Sequence, residues 1–288
     1  DVFLEHKKIG GAPLNVASRL NSLGGEVSVI SGVGNDLNGK ELIEYLNVSG
    51  INTDAVQVKN NYPTGFVNVI LNEKGNASYE IEISNENIST VKNADFFVYG
   101  SLSSRDSVSR KTLEQLLAVA KFKIFDVNLR VPHYTKKNVL DLLHAADFIK
   151  FNDDELNEIC EDLNSNKRSL EQNIKFISKE TNTDTVCVTL GSHGAVLYCN
   201  DTFYHNCGFK VNVVDTVGSG DSFLASLIIM LLNEEDPQYA INFASAVGAI
   251  VAQNEGANPV ISPSEIEDFL SGFDKIETKI KESATIHI

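Results

Sequence analysis

Short β-branched runs and amphipathic stretches take turns along most of this chain, and that alternation constrains its fold more than any other feature. The runs that read as strands are Val27–Ile30, Phe66–Leu71, Phe96–Tyr99, Lys123–Val127, Asp147–Phe151, Thr185–Leu190 and Ala195–Tyr198. Helical periodicity covers roughly 12–23, 39–48, 107–121, 136–145, 153–163, 169–180, 219–232, 237–254 and 263–271. Gly24-Gly25 and Gly50 fall where helix C-terminal caps belong, and Pro263 opens the last helix. Such alternation predicts an α/β domain whose mainly parallel sheet is covered on both faces. Ligands then sit beyond the carboxyl ends of the strands, so motifs that directly follow a strand carry extra weight.

Residues 54–83 break the pattern. Val56 and Val58, Phe66–Leu71 and Tyr79–Ile83 alternate apolar and polar with no helical period. Asn72–Asn76, with Gly75, carries a hairpin turn signal. Half-polar strands of this kind predict a flap on one edge of the sheet. No linker, repeat or low-complexity tract divides the chain, so residues 1–288 read as one domain with a β excursion.

Charge narrows the partners. There are 24 Lys+Arg against 39 Asp+Glu, a formal net charge of −15. A chain this acidic has no surplus of cations to hold a nucleic-acid backbone, and anionic membranes repel it. Any phosphate it handles must be bound locally, by main-chain amides, a few cations or a metal. The longest apolar stretch, Phe223–Leu232, is interrupted by Ser226 and is too short to span a bilayer. The four cysteines, Cys160, Cys187, Cys199 and Cys207, show neither C-x-x-C nor finger spacing, and Cys187 sits inside a strand pattern. Free thiols and the lack of a signal peptide lead to a cytoplasmic expectation.

Several segments could carry chemistry. Asp215-Thr216-Val217-Gly218-Ser219-Gly220-Asp221 stands before the most apolar helix. Small residues let a ligand approach the main chain, and the free amides and dipole of a helix N-terminus favour an anion. A carboxylate placed there repels phosphate. It makes sense as a general base taking the proton from a hydroxyl that attacks the phosphate. The plain alternative is a flexible turn with Asp221 as a helix-dipole residue. Gly10-Gly11-Ala12-Pro13-Leu14-Asn15 opens the first helix and offers close approach plus an amide to a small polar ligand, or is merely a tight loop. Asn152 and Glu155 share a helix face and either orient metal-bound water or form a capping box. Thr189-Leu190-Gly191-Ser192-His193-Gly194 wraps a phosphate or is only a hairpin loop. Arg105 and Arg130 are candidate phosphate clamps or surface ion-pair partners. Gly34-Asn35-Asp36-Leu37-Asn38-Gly39-Lys40-Glu41 nearly matches a Walker A loop, but Glu41 replaces the hydroxyl that would bind Mg²⁺. There is no H-E-x-x-H, G-x-S-x-G or Rossmann glycine fingerprint after a first strand.

Taken in order, these motifs resemble the ribokinase-like (PfkB) family of ATP-dependent sugar kinases. GGAPLNVA followed by Gly24 and Gly34 is similar to that family's first signature, and DTVGSGDSFLAS to its second, departing only at Ser226 where Ala or Gly is usual. NDDE resembles the N-x-x-E element and TLGSHG the nucleotide loop. GGAPLNVA, Pro63-Thr64-Gly65, Gly100-Ser101-Leu102 and FDVNLR are most similar to the fructokinase-type subgroup. Ribokinases and 2-keto-3-deoxygluconate kinases share the scaffold.

The resemblance implies a ribokinase-like three-layer α/β/α sandwich with a small β-lid drawn from about 1–10 and 54–72. It implies Asp221 as base, with amides of Gly218, Ser219 and Gly220 as anion hole. Asp1, Gly10, Gly11, Asn15, Arg105 and Arg130 go to the sugar. Asn152, Thr189, Gly191, Gly194 and Ser245 go to ATP. Asn152 and Glu155 act through Mg²⁺ and its waters, and Asp215 with the loop at Gly256-Ala257 resembles a monovalent-cation (K⁺) site. The lid implies a homodimer. The family's first central strand has no counterpart here, and a parallel sheet without it would leave unpaired backbone groups. Further chain is therefore expected before Asp1. The activity implied is transfer of the ATP γ-phosphate to a small sugar, D-fructose first. Ribose, a keto-deoxy sugar acid or a nucleoside is the alternative acceptor, and a non-catalytic sugar- or nucleotide-binding regulator the alternative class.

Overall fold

The computed structural model describes residues 9–65, 80–165 and 169–272. In chain order the elements are α1 (Ala12–Ser22), β1 (Ser31–Gly34), α2 (Leu37–Val48), β2 (Val56–Lys59), α3 (Asn85–Asn93) and β3 (Phe97–Gly100). A short 3₁₀ turn, Ser101–Ser104, leads to α4 (Ser107–Leu117), β4 (Lys123–Asp126), α5 (Lys136–Ala145), β5 (Phe148–Asn152), α6 (Asp153–Asp162) and α7 (Leu170–Thr181). Then come β6 (Thr185–Thr189), β7 (Ala195–Cys199), β8 (Thr202–Asn206), α8 (Ser219–Leu232) and α9 (Pro237–Ala252). Residues 263–272 form α10.

Six strands make the main sheet in the order β3-β4-β5-β6-β7-β8. The first four run parallel, β7 runs antiparallel to β6, and β8 runs antiparallel to β7. Alternate strand residues feed opposite layers. Phe125, Ile149, Val186 and Val188 pack with Leu143, Leu156, Ile174 and Ile177 from α5, α6 and α7. Ile124, Phe148, Cys187 and Leu197 pack with Val16 and Leu20 of α1, Phe223 and Leu227 of α8 and Ile241 of α9. That is the three-layer α/β/α arrangement, and it explains why α8 is apolar on nearly every side: it is sandwiched between the sheet, α1 and α9. The parallel register brings Gly100 beside Asp126, Asp126 beside Lys150 and Asn152 beside Thr189, and Gly100, Asp126, Asn152 and Thr189 are each the last residue of their strand.

Some expectations shift. The strand expected at Val27–Ile30 contributes only a bridge, Ser28 to Asn52, and the paired strand is β1, four residues on. Residues 56–59, within the span expected to supply the lid, run parallel to β1 in a two-stranded sheet separate from the main one. Helix α3 and strand β8 were not expected. The rest of the lid, at 1–8 and 66–72, lies outside the described residues. Cys160, Cys187 and Cys199 are buried and Cys207 is exposed, all four outside any disulfide. Among the described residues no helix is long and apolar enough to cross a membrane.

The Walker-like segment serves packing. A Cβ on Gly34 would sit 2.5 Å from Thr64 N, and one on Gly39 would run into the Gly34 carbonyl. Asp36 caps α2 through Gly39 N at 2.8 Å and also accepts from Thr64 N at 2.7 Å and Thr64 Oγ1 at 2.6 Å. Its glycines let two pieces of main chain touch and leave no phosphate cradle.

Candidate active site

The loop before α8 reaches the helix through Gly218, whose φ of 77° suits glycine. A Cβ there would lie 2.6 Å from Ala257 Cα, so the 256–257 loop packs directly on this turn. Ser219 N donates to Thr216 O at 3.2 Å and its hydroxyl to the Gly248 carbonyl at 2.8 Å. Of the three amides expected to form the anion hole, Ser219 is thus spent inside the loop. The amides of Gly218 and Gly220 have no acceptor among the described residues, and neither does that of Asp221 itself. The α8 dipole adds positive potential at the same point.

Asp221 lies in the first turn of α8. Its Oδ2 accepts from Asn15 Nδ2 at 2.7 Å, and Asn15 Oδ1 accepts from Asn258 Nδ2 at 3.0 Å. Burial pushes the Asp221 carboxyl up from 3.8 to about 6, helped by the charge of Asp126. Asn15, Lys150 and Arg130 pull the other way without cancelling it. A carboxyl in that range is ionised at neutral pH yet basic enough to take a proton.

Beneath the turn lies a buried ion pair. Lys150 Nζ is 3.0 Å from Asp126 Oδ1, with the two residues 7% and 4% exposed. A Cβ on Gly220 would be 3.6 Å from Lys150 Nζ, so the ammonium reaches the first turn of α8. Burial alone would lower the Lys150 pKa, but Asp126, Glu155 and Asp221 together hold it above its usual value.

The other expected residues divide. Asn152 and Glu155 form a capping box at the start of α6: Glu155 N donates to Asn152 Oδ1 at 2.8 Å and Asn152 N to Glu155 Oε2 at 2.9 Å. Glu155 Oε1 accepts from Leu129 N at 2.9 Å. Each carboxylate oxygen keeps a lone pair for water. Burial raises the Glu155 pKa against these hydrogen bonds. Asp215 stitches two loops, taking Val217 N on Oδ1 and Gly256 N on Oδ2, both at 3.0 Å. Thr189 ends β6, and Gly191 and Gly194 flank the turn into β7. Ser245 on α9 is 9% exposed, and its buried hydroxyl has no partner among the described residues. Gly10 and Gly11 lie at the entry to α1, next to Asn15 in the fold as in the chain. Asn15, expected on the sugar, is 2% exposed with both amide atoms engaged by protein. Arg130 is exposed, donates to the Leu129 carbonyl at 2.9 Å and is felt by Asp221, whereas Arg105 closes the 3₁₀ turn after β3. Asp1 lies outside the described residues.

Lys150, Asn258 and the Asp221 amide were missed. Lys150 left one trace: a lysine inside the apolar run Phe148-Ile149-Lys150-Phe151, where a cation needs a buried partner. Asn258 left none, because its partner is on the first helix.

A poised carboxylate beside free helix-terminal amides, at the carboxyl edge of a parallel sheet, is the equipment of a phosphotransferase acting on an alcohol. The pattern that describes the pfkB family carbohydrate kinases matches residues 5–264, and the chain belongs to that family. It is 29% identical over 285 residues to fructokinase-2 of Oryza sativa subsp. japonica, covering 88% of this chain and 82% of that one. The fructokinase of Vibrio cholerae O395, solved with fructose, ADP and calcium, superimposes with a TM-score of 0.77 at 24% identity over 91% of each chain. An Escherichia coli protein described as a putative ribokinase II superimposes with a TM-score of 0.80 at 22% identity, over 93% of this chain and 92% of that one. At these identities the superpositions speak for the fold, which is ribokinase-like. The protein is a carbohydrate kinase of the fructokinase-like kind.

Proposed function

We propose that this kinase phosphorylates D-fructose, with Asp221 as general base. The observation that carries the base assignment is the buried Asp221 carboxylate, tied on one oxygen by Asn15 at 2.7 Å, beside main-chain amides that have no acceptor among the described residues. Fructose is supported by the names of the relatives, which include fructokinases of rice and, at 29% identity, Solanum habrochaites.

Asp221 takes the proton of a sugar hydroxyl as its oxygen bonds to the γ-phosphorus. The bond from that phosphorus to the β–γ bridging oxygen breaks, leaving ADP. The amides of Gly218, Gly220 and Asp221 meet the charge on the transferring group, and the Lys150 ammonium beneath them offsets part of the surrounding carboxylate charge. The orphan hydroxyl of Ser245 and the amide cradle suit an anionic nucleotide. Mg²⁺, when bound, neutralises phosphate charge; it would be held by the phosphates, with its waters on Glu155 and Asn152. Asp215 with the loop at Gly256-Ala257 would hold a monovalent cation in this reading. The sugar is held in this reading by Gly10, Gly11 and Arg130.

Arg130 favours a second acceptor class. Its charge is felt at Asp221, so a keto-deoxy sugar acid would find a cation there. A coupled ADP-release assay with fructose, ribose and 2-keto-3-deoxygluconate decides. Fructose is expected to give the highest kcat/KM. A higher value for the acid would replace it, and binding of sugar and ATP without any ADP release would end the catalytic reading.

A further inference from the structure

Asn258, on the loop after α9, makes no hydrogen bond to the amide cradle or to Asp221 among the described residues, yet it reaches the base through one intermediary. Its Nδ2 donates to Asn15 Oδ1 at 3.0 Å, and Asn15 Nδ2 donates to Asp221 Oδ2 at 2.7 Å. A carboxamide presents a donor on one side and an acceptor on the other, and a half-turn exchanges them. With Asn15 turned, its oxygen would face an ionised carboxylate at hydrogen-bond distance, and two acceptors would repel. A donor fixed on Oδ1 opposes that half-turn. It also polarises the Asn15 amide, which strengthens the N–H on Asp221.

The loop is built to hold that donor in place. Gly256 N is bound by Asp215 Oδ2 at 3.0 Å. Ala257 lies against Gly218, where a Cβ would come within 2.6 Å. The Pro259 carbonyl accepts from Nη2 of Arg19 at 3.0 Å, and Arg19 is 3% exposed. The main chain is therefore tethered on both sides of Asn258, to α1 and to the loop before α8. At the other end Asn15 N is fixed to Gly11 O at 2.9 Å. Among the described residues Asp221 Oδ1 takes no hydrogen bond.

We propose that Asn258 is a positioning residue for the reaction: through Asn15 it holds the Asp221 carboxylate with Oδ2 tied and Oδ1 free for the incoming hydroxyl. This rests on Asp221 serving as the base. The charged groups that bear on Asp221 are Asp126 on β4, Lys150 on β5 and Arg130 after β4, and none of them is altered by a change at 258.

The test is a double-mutant cycle in the full chain. Asn258→Leu keeps the side-chain size and removes the donor. It is expected to lower kcat about tenfold, the effect of weakening one hydrogen bond to a charged group. The sugar KM should change less than kcat, and the acidic limb of the pH–rate profile should move to higher pH as Asp221 loses support for its ionised form. In an Asn15→Ala background the same change at 258 should alter kcat less than about twofold, because it acts through Asn15. Asn258→Gln, which retains the amide, should recover part of the loss. Equal effects in both backgrounds overturn the proposal, as does a rise in KM with kcat and the acidic limb unmoved. If the leucine variant does not melt cooperatively, Asn258→Gln against Asn258→Asp in the same assays carries the test, with the aspartate expected to move the acidic limb up and the glutamine not; coincident limbs overturn the idea. Asp221→Asn is run alongside: near wild-type turnover there removes the base assignment itself, whereas an inert Asp221→Asn with a neutral Asn258→Leu removes only the role of Asn258.

Discussion

Replacing Asp221 by Asn should make the protein more stable while nearly abolishing turnover. The fold raises this carboxyl from 3.8 to about 6. A group whose pKa is higher folded than unfolded binds its proton more tightly in the native state. Stability therefore falls as pH climbs through the window from 3.8 to about 6, and stays reduced above it. Roughly two pH units at about 1.4 kcal/mol each put the penalty of the ionised side chain near 3 kcal/mol at pH 8. Asparagine carries no charge and still offers an oxygen to Asn15. For a chain of 288 residues, about 3 kcal/mol corresponds to a Tm increase of about 5 °C. The gap should shrink toward pH 4, where the wild-type carboxyl is protonated. Turnover of the variant should fall by about two to four orders of magnitude, the range for losing a general base. Differential scanning fluorimetry from pH 4 to pH 8 on both proteins reads the first effect, and the coupled ADP assay the second. A variant no more stable than wild type at pH 8, or a Tm difference that does not vary with pH, would refute the account of a carboxylate held under strain for catalysis.

Gly218→Ala should lower turnover more than about a hundredfold, since a side chain at φ 77° meets Ala257 and displaces the amides; the ADP assay reads it, with circular dichroism confirming an intact fold. Lys150→Met strands Asp126 as an unpaired buried charge and should reduce stability by about 3–5 kcal/mol in urea titration. The double variant Lys150→Met with Asp126→Asn should recover much of that stability but little activity, because no cation then lies under the cradle. Glu155→Gln keeps an acceptor for one of the two main-chain amides and sets its NH2 against the other, so the Tm should fall by a few degrees, while the Mg²⁺ concentration for half-maximal rate should rise about tenfold. An unchanged Mg²⁺ dependence would leave Glu155 with a capping role alone.

What could be read from the chain, and what could not, follows from the range over which each feature is encoded. Helix α8 starts and stops where its small-residue turn and apolar run predict, because both signals are local. Helix α3 escaped notice because only Asn87 and Val91 of its nine residues are buried, leaving no apolar stripe to see. Strand β8 follows Asn200 and Asp201, whose φ angles of 49° and 61° mark a two-residue hairpin turn, a signal that the pair carries locally in the sequence. Strand β1, Ser31-Gly32-Val33-Gly34, has poor intrinsic propensity and exists because it pairs with β2. The site divides along the same line. Asp221 and the glycines before it are announced by adjacent residues, but Lys150 finds Asp126 across 24 positions and Asn258 finds Asn15 across 243. A motif names the groups that are present; packing decides which of their atoms remain available. Ser219 N and both oxygens of Glu155 look free in the sequence and are engaged in the fold, while the amide of Asp221, which no pattern singles out, is not. The chemistry at this site therefore depends less on which residues the motif supplies than on which hydrogen bonds the loops at 215–218 and 256–259 have already claimed.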